Sequence, residues 1–266
     1  MSNSPMLSVI IPTHHRSHLL ERSLTSIKEQ SGSMQVEILV ISDVIDPATD
    51  MICAQWLEPQ DTYVRRSGQP GPSASRNLGL KLAKGRYVMF LDDDDSLEPG
   101  YFEQLLHRTE LLAHLPIYTN CKAVTESRPT TGPELKDEQL MDLSEQLNVL
   151  VYIKNQVPFS CFLFPRHLLE NLSFDTHMRA YEDWEFVLNF LQYAVPSHVA
   201  LTGPRIHVVK DETTDRRGSS AAANDARAIL DYLYVYHRYP APSPEIRNMR
   251  EEIMQAFSIQ LPMEVY

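Results

Sequence analysis

The sequence predicts an α/β fold, a mostly parallel sheet flanked by helices with a helical C-terminal part, and three observations lead there. Short β-branched runs alternate with stretches of helical spacing through the first third of the chain. A repeated strand-then-helix order gives parallel strands with helices on both faces. Polar clusters close three of the apolar runs: "PTHHR" at 12–16, "SDVID" at 42–46 and "DDDD" at 92–95. In open α/β sheets that edge, beyond the carboxyl ends of the strands, is where ligands bind.

"LSVII" (7–11) is the first strand, stopped by Pro12. Ser17 can cap a helix that has Leu20, Leu24 and Ile27 on one face and ends at Gly32. "VEILVI" (36–41) reads as a second buried strand and "TYVR" (62–65) as a weaker third. "SASRNLGLKLAKG" (73–85) sets Ala74, Leu78 and Leu82 at four-residue intervals before Gly85, the pattern of a helix, and "RYVMFL" (86–91) is the next strand. Beyond 120 the pattern weakens. "TESRPTTGPELKDEQ" (125–139) is polar and carries Pro and Gly, so it reads as a loop. "FSCFLFP" (159–165) reads as a strand, and "YEDWEFVLNFLQ" (181–192) as a helix with Trp184, Val187, Leu188 and Leu191 inward. A mixed-charge loop at 210–220 precedes a helix from about Ala221 to Tyr236, and a last helix runs from Glu245 to about Ile259. The expected organisation is a main domain at 1–210, with halves 1–100 and 101–210, followed by a flexible loop and helices at 211–266.

The balance of 35 Asp and Glu against 24 Lys and Arg gives a net charge of -11, which argues against nucleic acid as a partner. A polyanionic ligand must therefore be met locally, by a metal or by a few placed cations. Cys53, Cys121 and Cys161 lack the paired short spacing of a zinc cluster or disulfide framework. No basic region precedes the short apolar stretch at Met6 to Ile11, and no run approaches the roughly 18 to 20 apolar residues of a membrane span. The expected location is cytoplasmic, with room for peripheral contact at the inner face of a membrane.

A hard cation such as Mg²⁺ or Mn²⁺ takes oxygen ligands, typically one or two carboxylates plus substrate phosphates. If the strand geometry of 86–91 continues, Asp92 and Asp94 converge while Asp93 turns elsewhere. The competing account is an acidic turn that caps the next helix through Asp95 or Ser96.

The stretch from 7 to 100 resembles the nucleotide-sugar-binding half of family 2 glycosyltransferases, inverting enzymes of the GT-A, Rossmann-like fold. The matching residues are "SVIIPTHHR", "EILVISD" and "GPSASRNLGLKLAKGRYVMFLDDDD". Where the family has DDGS this chain has "SDVIDPATD", which keeps Asp43 and loses the Gly-Ser turn. The resemblance implies that Pro12, Thr13, His14 and Arg16 meet the nucleotide, with His14 as a flat ring against the base. It implies further that Asp43 hydrogen-bonds the base, most often uracil, that Arg76 lies beneath the nucleotide, and that Asp93 contacts the ribose, with Asp92 also at the nucleotide as the same-side partner of Asp94. Asp94 is the implied metal ligand for Mn²⁺ or Mg²⁺, with His207 of "GPRIHVVK" after a strand as a further ligand.

Inverting transfer needs a group that removes the acceptor hydroxyl proton. "AYEDWEFVLNFL" resembles the family's acidic block at a helix start, making Asp183 the expected base and Glu182 its reserve. The competing account is that both acids only complement the helix N-terminus, an effect of roughly 0.3 to 1 kcal/mol. Lys210, Arg216 and Arg217 suit a lid over the diphosphate. The expected activity is metal-dependent transfer from a nucleotide-sugar donor, a UDP-sugar first, to a glycan or glycolipid acceptor. A sugar-nucleotide nucleotidyltransferase would carry a glycine-rich basic loop that "IPTHHRSHLL" lacks, and a non-catalytic binding module would have lost one of the acidic motifs. No G-x-G-x-x-G follows the first strand, which excludes a dinucleotide oxidoreductase. Tyr232, Tyr234, Tyr236, His237, Arg238 and Tyr239 suit either an acceptor surface or simple packing.

Overall fold

Central to the sheet is β1 (Leu7–Thr13), buried at every position except Pro12, which is half-buried. A strand covered on both faces reads as a continuous apolar run rather than an alternation. The computed structural model describes residues 4–30, 32, 34–108, 115–128, 132–209 and 226–256. After β1 come α1 (Ser17–Lys28), β2 (Val36–Ser42), α2 (Pro47–Trp56), β3 (Thr62–Arg65), α3 (Pro72–Leu82) and β4 (Tyr87–Phe90). β1 pairs in parallel with β2 and β4, and β2 in parallel with β3. These four strands therefore end on one edge.

The later half is more mixed. It comprises β5 (Ser96–Leu97), α4 (Tyr101–Leu106), β6 (Ile117–Ser127), β7 (Glu134–Met141), β8 (Phe162–Pro165), α5 (Glu182–Phe190), β9 (Ser197–Val209), α6 (Ala226–Arg238) and α7 (Pro244–Ala256). The described strands join in the order β3-β2-β1-β4-β8-β6-β9-β5, with β7 on β6. β8 runs antiparallel to both β4 and β6, and this reversal joins the two halves.

Three sequence readings are corrected. The polar stretch 125–139 is not a loop: β6 continues to Ser127, and β7 pairs antiparallel to it. Every β7 residue is exposed, so no apolar alternation marks the strand. In "FSCFLFP" only Phe162–Pro165 is extended, after a 3-10 turn at Phe159–Cys161. His207 lies within β9, not after a strand. The sequence reading also missed α2, whose start is marked by Asp46, which accepts from the Ala48 amide at 3.2 Å, and by Pro47 in the first turn.

Two apolar cores cover the sheet. One gathers Phe90, Phe159, Phe164, Phe174 and Phe186 beneath α3 and α5, with Phe174 and Phe186 stacked at 4.2 Å between centroids. The other packs α1 and α4 against β1, β2 and β4. Helix α3 lies so close to β1 that a Cβ on Gly79 would stand 2.5 Å from the Ile10 side chain. That approach delivers Arg76 to the sheet edge.

The C-terminal helices dock through Arg250, which is fully buried in α7. Its guanidinium donates to the carbonyls of Tyr152, at 2.9 and 2.6 Å, of Tyr236 at 3.3 Å and of Tyr239 at 2.9 Å. It also lies 4.1 Å from the centre of the Tyr236 ring. Tyr232, Tyr236 and Tyr239 are core residues, while Tyr234, His237 and Arg238 are exposed. The three cysteines are buried and unbridged. Among the described residues no helix is long and apolar enough to cross a membrane.

Candidate active site

The strand ends converge on one cleft. Its lining is Pro12, Thr13, His14, Arg16, Asp43, Pro72, Ser75, Arg76, Asp92, Asp93, Asp94 and Glu182. All the expected site residues are therefore brought together except Asp183 and His207. Pro72 and Ser75, from the first turn of α3, are additions the sequence reading missed.

Beyond β1 the chain turns sharply, with His15 in the left-handed region at φ 51°. His14 Nδ1 lies 2.5 Å from Asp43 Oδ1, while Asp43 Oδ2 accepts the Gly71 amide at 2.7 Å. The candidate base pocket is thus cross-linked from β1 through the end of β2 to the start of α3.

The aspartates do not alternate as a strand would. The Asp95 amide donates to the Asp92 carbonyl at 3.1 Å, which closes a turn and sends the side chains in separate directions. Asp92, half-exposed, accepts from Arg76 Nη2 at 2.8 Å. Asp93 is buried and accepts from Thr13 Oγ1 at 2.8 Å and Arg16 Nη1 at 3.2 Å. Burial pushes its carboxyl up to about 7, against the pull of Arg16. Asp94 Oδ2 stands 3.3 Å from the same Arg16 nitrogen. The expected convergence of Asp92 with Asp94 is replaced by Asp93 and Asp94 sharing Arg16. Asp95 turns inward, where its Oδ1 accepts the His207 amide at 3.0 Å, and burial raises its carboxyl well above the ordinary range.

Arg76 joins this acidic turn to the start of α5. Its Nη1 donates to Glu182 Oε1 at 2.9 Å while Nη2 holds Asp92. The guanidinium rests over the Phe159 and Phe174 rings, 5.6 and 5.4 Å from their centres. Burial works against its charge, but Asp92, Glu182 and Asp183 outweigh it and raise its pKa. Burial raises the carboxyls of Glu182 and Asp183, with Arg76 opposing in both. Asp183 Oδ1 accepts the Trp184 amide at 2.7 Å, at the open end of the helix.

The residue before these acids, Tyr181, is left-handed at φ 62° and has no side-chain cap. Asp231 of α6 braces this turn, its Oδ2 accepting the Arg179 and Ala180 amides at 2.8 and 3.1 Å. The Tyr181 ring meets Tyr232 edge-on at 4.9 Å.

His207 points its two ring nitrogens at Ser96 Oγ and Glu126 Oε2, each at 2.9 Å. Glu126 also receives Arg22 Nη1 at 2.8 Å and Arg128 Nε at 2.7 Å. Burial alone would raise the Glu126 carboxyl, but His207, Arg128 and Arg22 outweigh it and hold it at about 2. Glu126 and Arg128 fall in the stretch read as a loop, and nothing in its composition marks them. Lys210, Arg216 and Arg217 lie outside the described residues.

No cluster of three or more His, Cys, Asp or Glu among the described residues forms a cage for a metal. The oxygen donors that line the cleft suit a divalent cation held by one or two carboxylates, with the rest of its shell supplied by phosphates.

A sequence model of the family described as "Glycosyl transferase family 2" matches residues 8–172. The chain belongs to glycosyl transferase family 2. It is therefore an enzyme, a glycosyltransferase, and the nucleotidyltransferase and non-catalytic readings fall away. The putative colanic acid biosynthesis glycosyl transferase WcaA of Escherichia coli is 25% identical over 248 residues, covering 90% of this chain and 83% of the relative. The GalNAc(5)-diNAcBac-PP-undecaprenol beta-1,3-glucosyltransferase of Campylobacter jejuni is 29% identical over 236 residues, covering 86% and 72%. Among solved structures, S. aureus TarS 1-349 in complex with UDP-GlcNAc aligns with a TM-score of 0.59 at 16% identity, over 96% of this chain and 73% of that one. Mannosyltransferase PcManGT of Pyrobaculum calidifontis, in complex with GDP-Man and Mn²⁺, aligns at 0.58 and 18% identity, over 98% and 78%. The fold of this family 2 glycosyltransferase is GT-A.

Proposed function

We propose that this family 2 glycosyltransferase moves a sugar with inversion from a UDP-sugar to a hydroxyl of a surface glycan or glycolipid. The observation that carries the reading is Arg76, one guanidinium bonded both to Asp92 of the acidic turn that would face the donor and to Glu182 at the start of α5. In the proposed reaction the acceptor oxygen attacks the anomeric carbon as the bond to the diphosphate breaks. Asp183, next to the cleft-lining Glu182 at the start of α5, is the proposed base that takes the hydroxyl proton, with Glu182, held by Arg76, as its reserve. His14, Asp43 and Pro12 would receive the base, and Asp92 and Asp93 the ribose side. Asp94 would hold Mn²⁺ or Mg²⁺, which would supply Lewis-acid stabilisation to the departing diphosphate. His207 is left out of the proposed ligand set because both of its nitrogens are engaged.

The colanic acid biosynthesis named for one relative and the undecaprenol-linked substrate named for the other support a glycan or glycolipid acceptor. A carrier of that kind supports a cytoplasmic enzyme working at the inner face of a membrane. The neighbour holding UDP-GlcNAc supports uridine, and the one holding Mn²⁺ supports the metal. Calorimetric titration of UDP-sugars with Mn²⁺ and with chelator tests the reading. Binding should be clearly tighter with metal, and D94A should erase the difference. Equal binding under chelator overturns the metal assignment.

A further inference from the structure

Arg128 follows β6 and is only 7% exposed in its side chain. Its Nε is bonded to Glu126, yet Nη1 and Nη2 are both buried without a hydrogen-bond partner. Buried polar atoms are nearly always satisfied, and a guanidinium presents a planar fork that matches carboxylate or phosphate. The nearest acid to the open side of the fork is Asp94, whose Oδ2 is 3.6 Å from Nη2, beyond hydrogen-bond reach. Arg16 Nη1 stands 3.3 Å from that same oxygen, so two guanidinium groups flank one carboxylate. Glu126 takes only the Nε of this guanidinium, on Oε1, and its other oxygen receives Arg22 and His207.

We propose that Arg128, facing Arg16 across Asp94, forms an anion subsite in which the two open Nη atoms of Arg128 take the oxygens of a phosphate-bearing ligand in the cleft. The proposal rests on the nucleotide-sugar reading, which brings phosphate to this edge. The phosphate comes from one of two sources, the donor's diphosphate or a phosphate carried by the acceptor. Either supplies the acceptor atoms that the fork lacks, in a protein whose net charge of -11 otherwise repels such a ligand.

The test is titration of UDP, GDP, uridine and, on the UDP-loaded enzyme, farnesyl diphosphate, each against wild type, R128Q and R128K. It is run with Mn²⁺ and again with chelator. Loss of a bidentate charged contact should weaken phosphate binding by about tenfold to a hundredfold in R128Q. Uridine should bind unchanged, and R128K should recover part of the loss. A loss on UDP or GDP assigns the subsite to the donor; a loss confined to farnesyl diphosphate assigns it to the acceptor. Unchanged affinity for both overturns the subsite and leaves the nucleotide reading standing. If wild type binds no nucleoside diphosphate, that reading fails instead, and inorganic pyrophosphate decides the subsite by whether R128Q weakens its binding. Should R128Q not fold, R128K carries the comparison, because it keeps the charge and loses the fork.

Discussion

Two buried arginines show how differently this chain uses one residue type. Arg76 sits at the sheet edge between Asp92 and Glu182, and its pKa is raised. Arg250, at the back, meets carbonyls and a tyrosine ring, and burial lowers its pKa to about 10. Around Arg76 the charges compensate one another and face the cleft. Around Arg250 the guanidinium acts as a fork of donors that closes carbonyls which the helix ends leave unsatisfied. At the cleft a buried cation comes with opposite charge, one partner of which, Asp92, reaches solvent; at the back it comes with carbonyls and a ring, away from solvent.

That division can be broken by substitution. The largest effect is expected of D183N, in which the cleft keeps Arg76 and its partners while the proposed base is lost. Transfer should fall by about 10²- to 10⁴-fold with donor affinity unchanged, and retained transfer removes Asp183 from that role. R76M should both destabilise and inactivate, because it strands Asp92 and Glu182; breaking such a pair by removing one partner typically costs about 3–5 kcal/mol. Thermal melting and the transfer rate of the folded fraction measure the two effects separately. R250M should cost about 2–4 kcal/mol through the stranded carbonyls of Tyr152, Tyr236 and Tyr239. The folded R250M enzyme should still bind nucleotide as wild type does, and a weakened affinity there would end the separation of docking from chemistry.

The smallest effect is in acid. Glu126 falls from an ordinary 4.5 to about 2 on folding, so its contribution is complete above 4.5 and is lost as pH drops toward 2. E126Q should therefore have a flatter melting temperature across that window than wild type. Parallel curves would mean that the hub of Arg22, Arg128 and His207 adds little to stability.

Legibility in the sequence follows the same geography. β1, β2 and β4 are sandwiched by helices, so their apolar runs announce them and the polar residues after each run mark the cleft. β7 exposes every side chain, Leu135 and Leu140 included, so it lacks the period that identifies a strand. Glu126 is buried only because β9 lies beside β6, a pairing between residues far apart in sequence. Arg128 is unreadable because the acid its fork faces, Asp94, belongs to a turn far from it in sequence. The neighbours of His207, Ser96 and Glu126 at its two ring nitrogens, lie in distant stretches of the chain and are equally invisible in its own stretch. The four aspartates were legible as a site but not as individuals, since the turn that separates them is a backbone feature.

The brace between Asp231 and the Arg179 and Ala180 amides bears on what a minimal version of this enzyme can be. A chain shortened after β9 would keep the strands, the acidic turn and the nucleotide end of the cleft. It would lose the acceptor for those two amides just where Tyr181 must hold a left-handed conformation. The C-terminal helices are thus not a removable appendix: without them the turn before Glu182 and Asp183 loses its brace, so shortening the chain would loosen one wall of the cleft and leave the other in place.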